Sequence, residues 1–455
     1  MFLGIDIGTT AIKFAVIEQE KIKYQQTIPV TTHREVSGAC YQKTDELLRV
    51  LQIGVQSIPK DMRSHIAKVS FSVAMHSVWP QPDEKVFIWS DTQAEQLMAD
   101  FKKDPLAQKF YEKTGTPIHA MSPFAKLLYF ERSKIYPPQT RYYGIKELVM
   151  HYFTEQYVID YATATATGLF DNQQLIWDAE ILAYVGIQEE QLAAAVDTTT
   201  EFPLTAAAAE ALKLPLAAKV AIGASDGCLA AFASYTVTKI PNSLTIGTSA
   251  SVRKVTRQPI FQPVKQNFCY YLNREYYVIG APSNNGGCVL EWASRIYADT
   301  PAEFFVALPE NLQASVIGAQ QLQFHPFING ERAPLWQSEV TGTLKNLTIR
   351  HTKADLIRSV VEGILLNIRT LTEMVAISGE LSLSGGFFKS PVLQQLTADI
   401  LGVDCYLSAY NEPVMGLYYL IYGSQTDREL PVEKIASDPQ NYQAYTDVFT
   451  NYFDD

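Results

Sequence analysis

The chain has 455 residues, 47% hydrophobic and 19% charged, with 37 Lys and Arg against 48 Asp and Glu, a formal net charge of −11. That length exceeds one ordinary core and suits two domains with insertions, while a mean hydropathy of −0.04 and frequent charges and turn formers argue against a membrane span. The acidic balance excludes a general nucleic-acid surface, which needs clustered Lys and Arg, but leaves room for a small anionic substrate held by a few donors.

A strand begins within two residues of Met1 with no basic leader before it, so the N-terminus does not read as a signal peptide. Strand-like runs come next at 2–7, 12–17 and 22–30. Residues 44–56 carry apolar side chains at helical spacing, with Thr44 or Asp45 placed to cap them, and Ile66 to Val73 reads as another strand. Strand hairpins, a helix and a strand together give a mixed α/β signature. Residues 91–170 read as a helix-rich insertion, with Ser122-Pro123 opening one helix, and 195–220 is Ala-rich helix and loop.

A polar, proline-containing joint at 238–243 marks the expected boundary between a first domain, 1–240, and a second, 241–455. Strand-like stretches lie beyond it at 244–255 and 269–280. Residues 353–377 form the most convincing long helix, with a broad apolar face from Leu356 to Ile368. Leu381 to Leu383 reads as a strand leading into Ser384-Gly385-Gly386, and Ser390-Pro391 opens another helix with Ser as its cap. The five cysteines (Cys40, Cys228, Cys269, Cys288, Cys405) are scattered without C-x-x-C spacing, the pattern of buried thiols in a reducing cytoplasm.

Two hairpin motifs nearly repeat. Gly4-Ile-Asp6-Ile-Gly8-Thr9-Thr10, with Lys13 just beyond, is echoed half a chain later by Leu244-Thr-Ile-Gly247-Thr248-Ser249. Such Gly-hydroxyl turns present backbone N–H groups and hydroxyls to phosphate oxygens, and the strand-end Asp6 is placed to reach Mg²⁺ through water. Only the first copy has that carboxylate; the second has Thr245. Singly, each would also serve as a plain β-turn.

In Gly223-Ala-Ser-Asp226-Gly227 a strand ends and a helix begins. A carboxylate there stays ionised beside free N–H groups and suits a base accepting a hydroxyl proton during phosphoryl transfer, though a helix cap explains the same residue. Gly385-Gly386 lets backbone approach a flat or charged ligand, and no Walker loop or zinc-ligand spacing occurs. His76, with Trp89 and Asp91 downstream, is the kind of set a polyol pocket uses.

Taken in order, these pieces resemble the FGGY carbohydrate kinases along nearly the whole chain. The first and second hairpins are similar to that family's two phosphate loops, Trp89-Ser-Asp91 to its substrate-side Trp-x-Asp, and Gly223-Ala-Ser-Asp226 to its catalytic loop. Gly330-Glu-Arg-Ala-Pro334 is similar to its Gly-Glu-Arg-x-Pro signature, and Ser384-Gly-Gly386 through Gly402 to its adenosine side. The resemblance implies an α/β fold of two ribonuclease-H-like domains, of the actin and hexokinase type, with an interdomain cleft that closes on ATP, Mg²⁺ and a sugar.

Phe71-Ser-Val-Ala-Met75-His76-Ser77, Thr114 to Pro123, Tyr143-Gly-Ile-Lys-Glu147, Thr165 to Phe170 and Asn284-Asn-Gly-Gly287 look most like gluconate kinases, with xylulose as the alternative substrate. Gln93 stands where the family usually has Arg, and Ser384 where it usually has a first glycine. The resemblance implies Asp226 as catalytic base; Met75, His76, Trp89, Asp91 and Asp226 at the sugar or sugar acid; and Asp6 and Asp226 at the metal. It places Gly8, Thr9, Thr10, Lys13, Gly247, Thr248, Ser249, Gly287, Gly385 and Gly386 at the nucleotide. Lys146, or another basic residue of the insertion, is expected to meet a substrate carboxylate. A cytoplasmic enzyme with no nucleic-acid or membrane partner, and a homodimeric assembly, complete the expectation; a sugar sensor without transfer activity is the alternative from another class.

Overall fold

A computed structural model describes residues 1–408, 412–424, 433–450 and 452–453. The chain forms two compact units: Met1–Val237 with Val255–Ile279 and the segment bearing the helix Pro413–Tyr422, and the remainder from Thr238 onward.

The first unit is built on a six-stranded sheet. Strand β1 (Phe2–Ile7) lies at its centre, antiparallel to β2 (Ala11–Glu18), which pairs in turn with β3 (Lys21–Pro29). On the other side β1 pairs in parallel with β4 (Lys68–Val73). At the far edge β5 (Glu201–Pro203) runs antiparallel to β6 (Lys219–Ser225), and β6 lies parallel to β4. β1 and β4 are buried almost throughout because both faces are covered, whereas β3 alternates half-buried with exposed residues as an outer strand does.

Helix α1 (Thr44–Ser57) turns Leu47, Leu51 and Val55 inward. It starts one residue after Lys43, and neither Thr44 nor Asp45 caps it through a side chain. The insertion is helical as its pattern predicts; Ser122 accepts from the Ala125 N–H at 3.2 Å to open Pro123–Arg132. Helix α2 (Ile145–Thr154) belongs to the same insertion and is buried over most of its length. Helix α3 (Asp226–Thr238) leaves directly from the end of β6.

The second unit repeats the arrangement of strands. β7 (Asn242–Ile246) and β8 (Ala250–Thr256) form an antiparallel hairpin, β9 (Leu381–Ser384) lies parallel to β7, β10 (Cys405–Leu407) lies parallel to β9, and β11 (Lys434–Ile435) closes the edge antiparallel to β10. The sequence of directions matches β2, β1, β4, β6 and β5 of the first sheet.

Helix α4 (Gly287–Tyr297) starts at the loop beside the β7–β8 turn. Helix α5 (Lys353–Met374) is buried on nearly every side and ends at Met374, with Thr352 and Asp355 closing its N-terminus as a capping box. Helix α6 (Pro391–Leu401) begins after Ser390, whose hydroxyl makes no cap bond there; Pro391 at the first position needs no N–H partner.

Helix α7 (Pro413–Tyr422), far along the chain, packs into the first unit, where Phe2 meets Tyr418 and Tyr422 edge-on at 5.8 Å. Among the described residues no helix is long and apolar enough to cross a membrane.

Candidate functional site

In the first unit the turn between β1 and β2 is closed by the Gly8 N–H donating to the Ala11 carbonyl at 3.0 Å. The Thr9 carbonyl accepts from Gln42 Nε2 at 2.9 Å and from the Thr32 hydroxyl at 3.0 Å, and the Thr9 hydroxyl accepts from the Trp89 indole N–H at 3.0 Å. The Trp-x-Asp motif thus reaches the phosphate-type turn itself, a link that no local sequence pattern signals. Thr10 is exposed at the tip. Lys13 sits opposite Asp6 in the β1–β2 register and is paired with Glu412, so a phosphate there competes with a carboxylate.

Asp6 accepts from the Ser72 hydroxyl at 2.6 Å. Only an edge of the residue reaches solvent, and burial followed by the nearby Asp226 charge pushes its pKa up to about 7, with Ser72 and Lys13 pulling the other way. Asp226 is the first residue of α3, and one carboxylate oxygen accepts from the Gly227 N–H at 2.7 Å. The structure therefore brings the two carboxylates expected at the metal into electrostatic contact. The corresponding crossing of the second sheet pairs Thr245 with Ser384, two hydroxyls 2.9 Å apart.

His76 is 7% exposed, has φ +70°, and faces the Ala166 carbonyl through Nδ1 at 2.8 Å. A carbonyl only accepts, which assigns the proton to Nδ1 when the ring is neutral. Met75 packs half-buried against the buried apolar cluster that contains Ala166. Asp91 is buried, its oxygens accepting from the Cys40 and Gln93 N–H groups at 3.0 and 3.3 Å; burial raises its pKa and the Lys126 charge opposes this. Gln93 leaves its Oε1 buried without a hydrogen-bond partner.

Lys126 lies beside His76 in the candidate site and is not singled out by the sequence pattern. It is fully buried, donates to the His76 carbonyl at 3.2 Å and to the Met121 carbonyl, and is pushed down to about 8 by burial, with Asp91 opposing. The available signal was a lysine on an otherwise apolar face of the Pro123–Arg132 helix.

Lys146 corrects an expectation. It is fully buried and held by Asp160 at 3.1 Å and by the Phe71 and Ile222 carbonyls at 2.9 and 2.7 Å, so its ammonium is committed inside the fold and does not meet a substrate carboxylate.

In the second unit Gly247, Thr248 and Ser249 are exposed at the hairpin tip. The Gly247 carbonyl accepts from the Gly287 N–H at 2.7 Å and the Thr248 carbonyl from the Cys288 N–H at 3.1 Å, which fixes the turn against the start of α4. Gly385 has φ +104°, and a Cβ there would lie 2.2 Å from the Ile246 carbonyl oxygen; only glycine lets the exposed Gly385-Gly386 pair run against the end of β7. The structure thus gathers Gly247, Thr248, Ser249, Gly287, Gly385 and Gly386 around one strand end.

Behind them, buried Glu331 accepts from Ser283 at 2.7 Å, the Asn284 N–H at 2.9 Å, Asn285 at 3.1 Å and Asn367 at 3.0 Å, anchoring the loop that leads into Gly287. Asp399, in the stretch expected on the adenosine side, is 3% exposed and bonded to the Asp438 N–H and Asn441, both at 2.9 Å, so it holds the C-terminal helix Pro439–Phe449 in place.

Residues 1–233 match the model of the FGGY family of carbohydrate kinases, N-terminal domain, and residues 242–416 match the C-terminal domain. The chain belongs to the FGGY family of carbohydrate kinases. Gluconokinase from Bacillus licheniformis is 35% identical over 425 residues, 88% of this chain and 82% of that protein. Gluconokinase from Bacillus subtilis is 33% identical over 426 residues, again 88% and 82% of the two chains.

Among solved structures, a gluconate kinase and a ligand-bound xylulose kinase, both from Lactobacillus acidophilus, each superpose with a TM-score of 0.91 at 27% identity, covering 99% of this chain and 96% of theirs. As an FGGY kinase the protein is an α/β phosphotransferase of the actin and hexokinase type that uses ATP to phosphorylate a carbohydrate.

Proposed function

We propose that this FGGY kinase transfers the γ-phosphoryl group of ATP to the primary hydroxyl of gluconate. The observation that carries the substrate is the contrast in likeness: 35% identity to a gluconokinase against 24% to a xylulose kinase from Staphylococcus epidermidis, over similar shares of this chain.

Asp226, at the strand–helix junction, is assigned to take the hydroxyl proton as in-line attack develops, which requires position more than a raised pKa. Gly8, Thr9, Thr10, Lys13, Gly247, Thr248 and Ser249 are assigned to phosphate oxygens, and Gly287, Gly385 and Gly386 to the rest of the nucleotide. Met75, His76, Trp89 and Asp91 are assigned to the polyol, whose carboxylate needs a donor other than Lys146.

A buried carboxylate whose proton affinity is raised by the charge of a neighbouring one, as Asp6 is beside Asp226, suits a divalent cation. Among the described residues no three His, Cys, Asp or Glu side chains converge as a full cage. That fits Mg²⁺, which binds through one or two carboxylates, water and substrate phosphates, and which neutralises phosphate charge when bound. Asp6 and Asp226 would hold it. None of the five cysteines is in a disulfide, in keeping with a cytoplasmic setting.

A coupled ADP-release assay with gluconate, xylulose, ribulose and glycerol tests the reading. We expect kcat/KM for gluconate to exceed that for every other acceptor by at least ~10-fold, a difference of about 1.4 kcal/mol in transition-state binding. A higher value for xylulose or ribulose overturns it in favour of a pentulose kinase, the second reading, which the Lactobacillus acidophilus xylulose kinase supports by its TM-score of 0.91.

A further inference from the structure

Strand β6 does not reach Asp226 by a straight path. Ala221 pairs with Ser70 of β4 and Ala224 with Ser72, so Ile222 and Gly223 together face the single residue Phe71. That is a β-bulge, and a bulge bends its strand and re-aims the residues beyond it. Gly223 has φ +78°, and a Cβ there would lie 2.2 Å from the Phe71 carbonyl oxygen.

The bulge amides turn away from β4: the Ile222 and Gly223 N–H groups donate to the Thr200 and Thr198 carbonyls at 3.0 and 3.1 Å. The Phe71 and Ile222 carbonyls then need donors from elsewhere, because a buried backbone oxygen without one costs about 1–3 kcal/mol. Lys146 Nζ donates to both, at 2.9 and 2.7 Å, and lies 3.4 Å from the Ala224 carbonyl, two residues before Asp226.

The position of this lysine is otherwise unfavourable. It is the second residue of α2, where the helix dipole opposes a cation, and it is fully buried. Its charge is offset by Asp160, also fully buried, which accepts from the Thr163 N–H and hydroxyl at 2.8 and 2.7 Å as well. A buried ion pair that serves stability alone is commonly replaced by apolar residues without loss. Here the ammonium meets the strand at the turn that delivers the candidate base.

From this geometry we infer that Lys146, with Asp160 as its counter-ion, is a positioning residue that sets the direction in which Asp226 leaves β6. The inference rests on the reading of Asp226 as the base.

The test compares Lys146→Met/Asp160→Asn, which leaves no unpaired buried charge, with the wild type. Expected is a fall in kcat of at least ~30-fold with KM for gluconate and ATP within ~3-fold, since a misplaced base loses rate rather than ground-state binding. Amide exchange at 224–228 should quicken. In an Asp226→Asn background the same pair should remove no further activity, because groups acting through one another are not additive.

A folded double variant with wild-type kcat and unchanged exchange, beside an inactive Asp226→Asn, overturns the inference and leaves the base intact. Near-wild-type turnover of Asp226→Asn overturns the base, and the inference with it. Should the double variant not fold, Asp160→Asn alone carries the test: a several-fold loss of kcat with faster exchange supports the role, and a wild-type kcat or unchanged exchange overturns it.

Discussion

The indole N–H of Trp89 donates to the hydroxyl of Thr9 at 3.0 Å, so a residue we propose for the sugar also holds the turn we propose for phosphate. Replacing Trp89 with Phe keeps the apolar ring and removes the donor. One such bond is worth about 1 kcal/mol, so kcat/KM for ATP is expected to fall roughly fivefold. Steady-state kinetics at saturating gluconate check this; a change confined to KM for gluconate would place Trp89 on the sugar alone.

Asp226→Asn keeps the shape at the start of α3 and removes the proposed base. Positioned general bases contribute roughly 10²–10⁴-fold, so kcat is expected to fall within that range while calorimetry finds ATP binding near normal. Lost nucleotide affinity with residual transfer at the wild-type rate would assign the residue to binding.

Gly385→Ala places a methyl 2.2 Å from the Ile246 carbonyl oxygen at φ +104°. The strand end must shift or the loop must change course, at about 1–3 kcal/mol. Nucleotide affinity, read by calorimetry with ADP, is expected to drop at least ~10-fold while gluconate binding holds.

Glu331→Ala strips the acceptor from Ser283, the Asn284 N–H, Asn285 and Asn367 at once. Leaving those buried donors unmatched is expected to destabilise the protein by about 3 kcal/mol in urea unfolding. In the folded fraction KM for ATP should rise, because the loop into Gly287 loses its anchor. Unchanged stability would show that water replaces the carboxylate without cost.

Glu147 supplies the pH dependence. Burial, countered by the N–H groups at the start of α2, pushes its pKa up from 4.5 to about 7. A raised carboxyl pKa means the native state holds a proton that the unfolded chain gives up. Its stabilising contribution is therefore complete below pH 4.5 and is lost as pH rises through about 7. Glu147→Gln cannot titrate, so its thermal midpoint should gain on that of the wild type between pH 5 and about 8, by at most roughly 3 kcal/mol in stability. A constant difference across that range would show that Glu147 stays ionised in the fold.

Local pattern carried much of the architecture. Alternation and short apolar runs marked β1, β2, β3 and β4 to within a residue or two, because a strand's own sequence records which of its faces is covered, while the single stretch at 244–255 proved to be the two strands β7 and β8. The near-repeat of the hairpins had its counterpart in two sheets with the same order of strand directions. Capping was less legible: Thr44 and Ser390 precede or open helices without their hydroxyls bonding there, since several small polar residues at a helix start compete and the loop geometry chooses. The aromatic residues after Gly416 gave no sign of their place, which is against Phe2 at the opposite end of the chain.

By itself the sequence determined the family, the two Gly-hydroxyl turns and an aspartate where a strand hands over to a helix, because each is written in consecutive residues. The tertiary structure decided what the charged groups do. Lys146 reads in sequence as a cation for a substrate; folding buries it against Asp160 and two strand carbonyls brought from opposite sides of a bulge. Asp6 and Thr245 hold matching places in two sheets, yet Thr245 meets the Ser384 hydroxyl while Asp6 lies in the field of a second carboxylate, and burial in that field moves it up to about 7. Periodicity tells a residue which way to face; the dielectric and the neighbours it meets there belong to the folded chain alone.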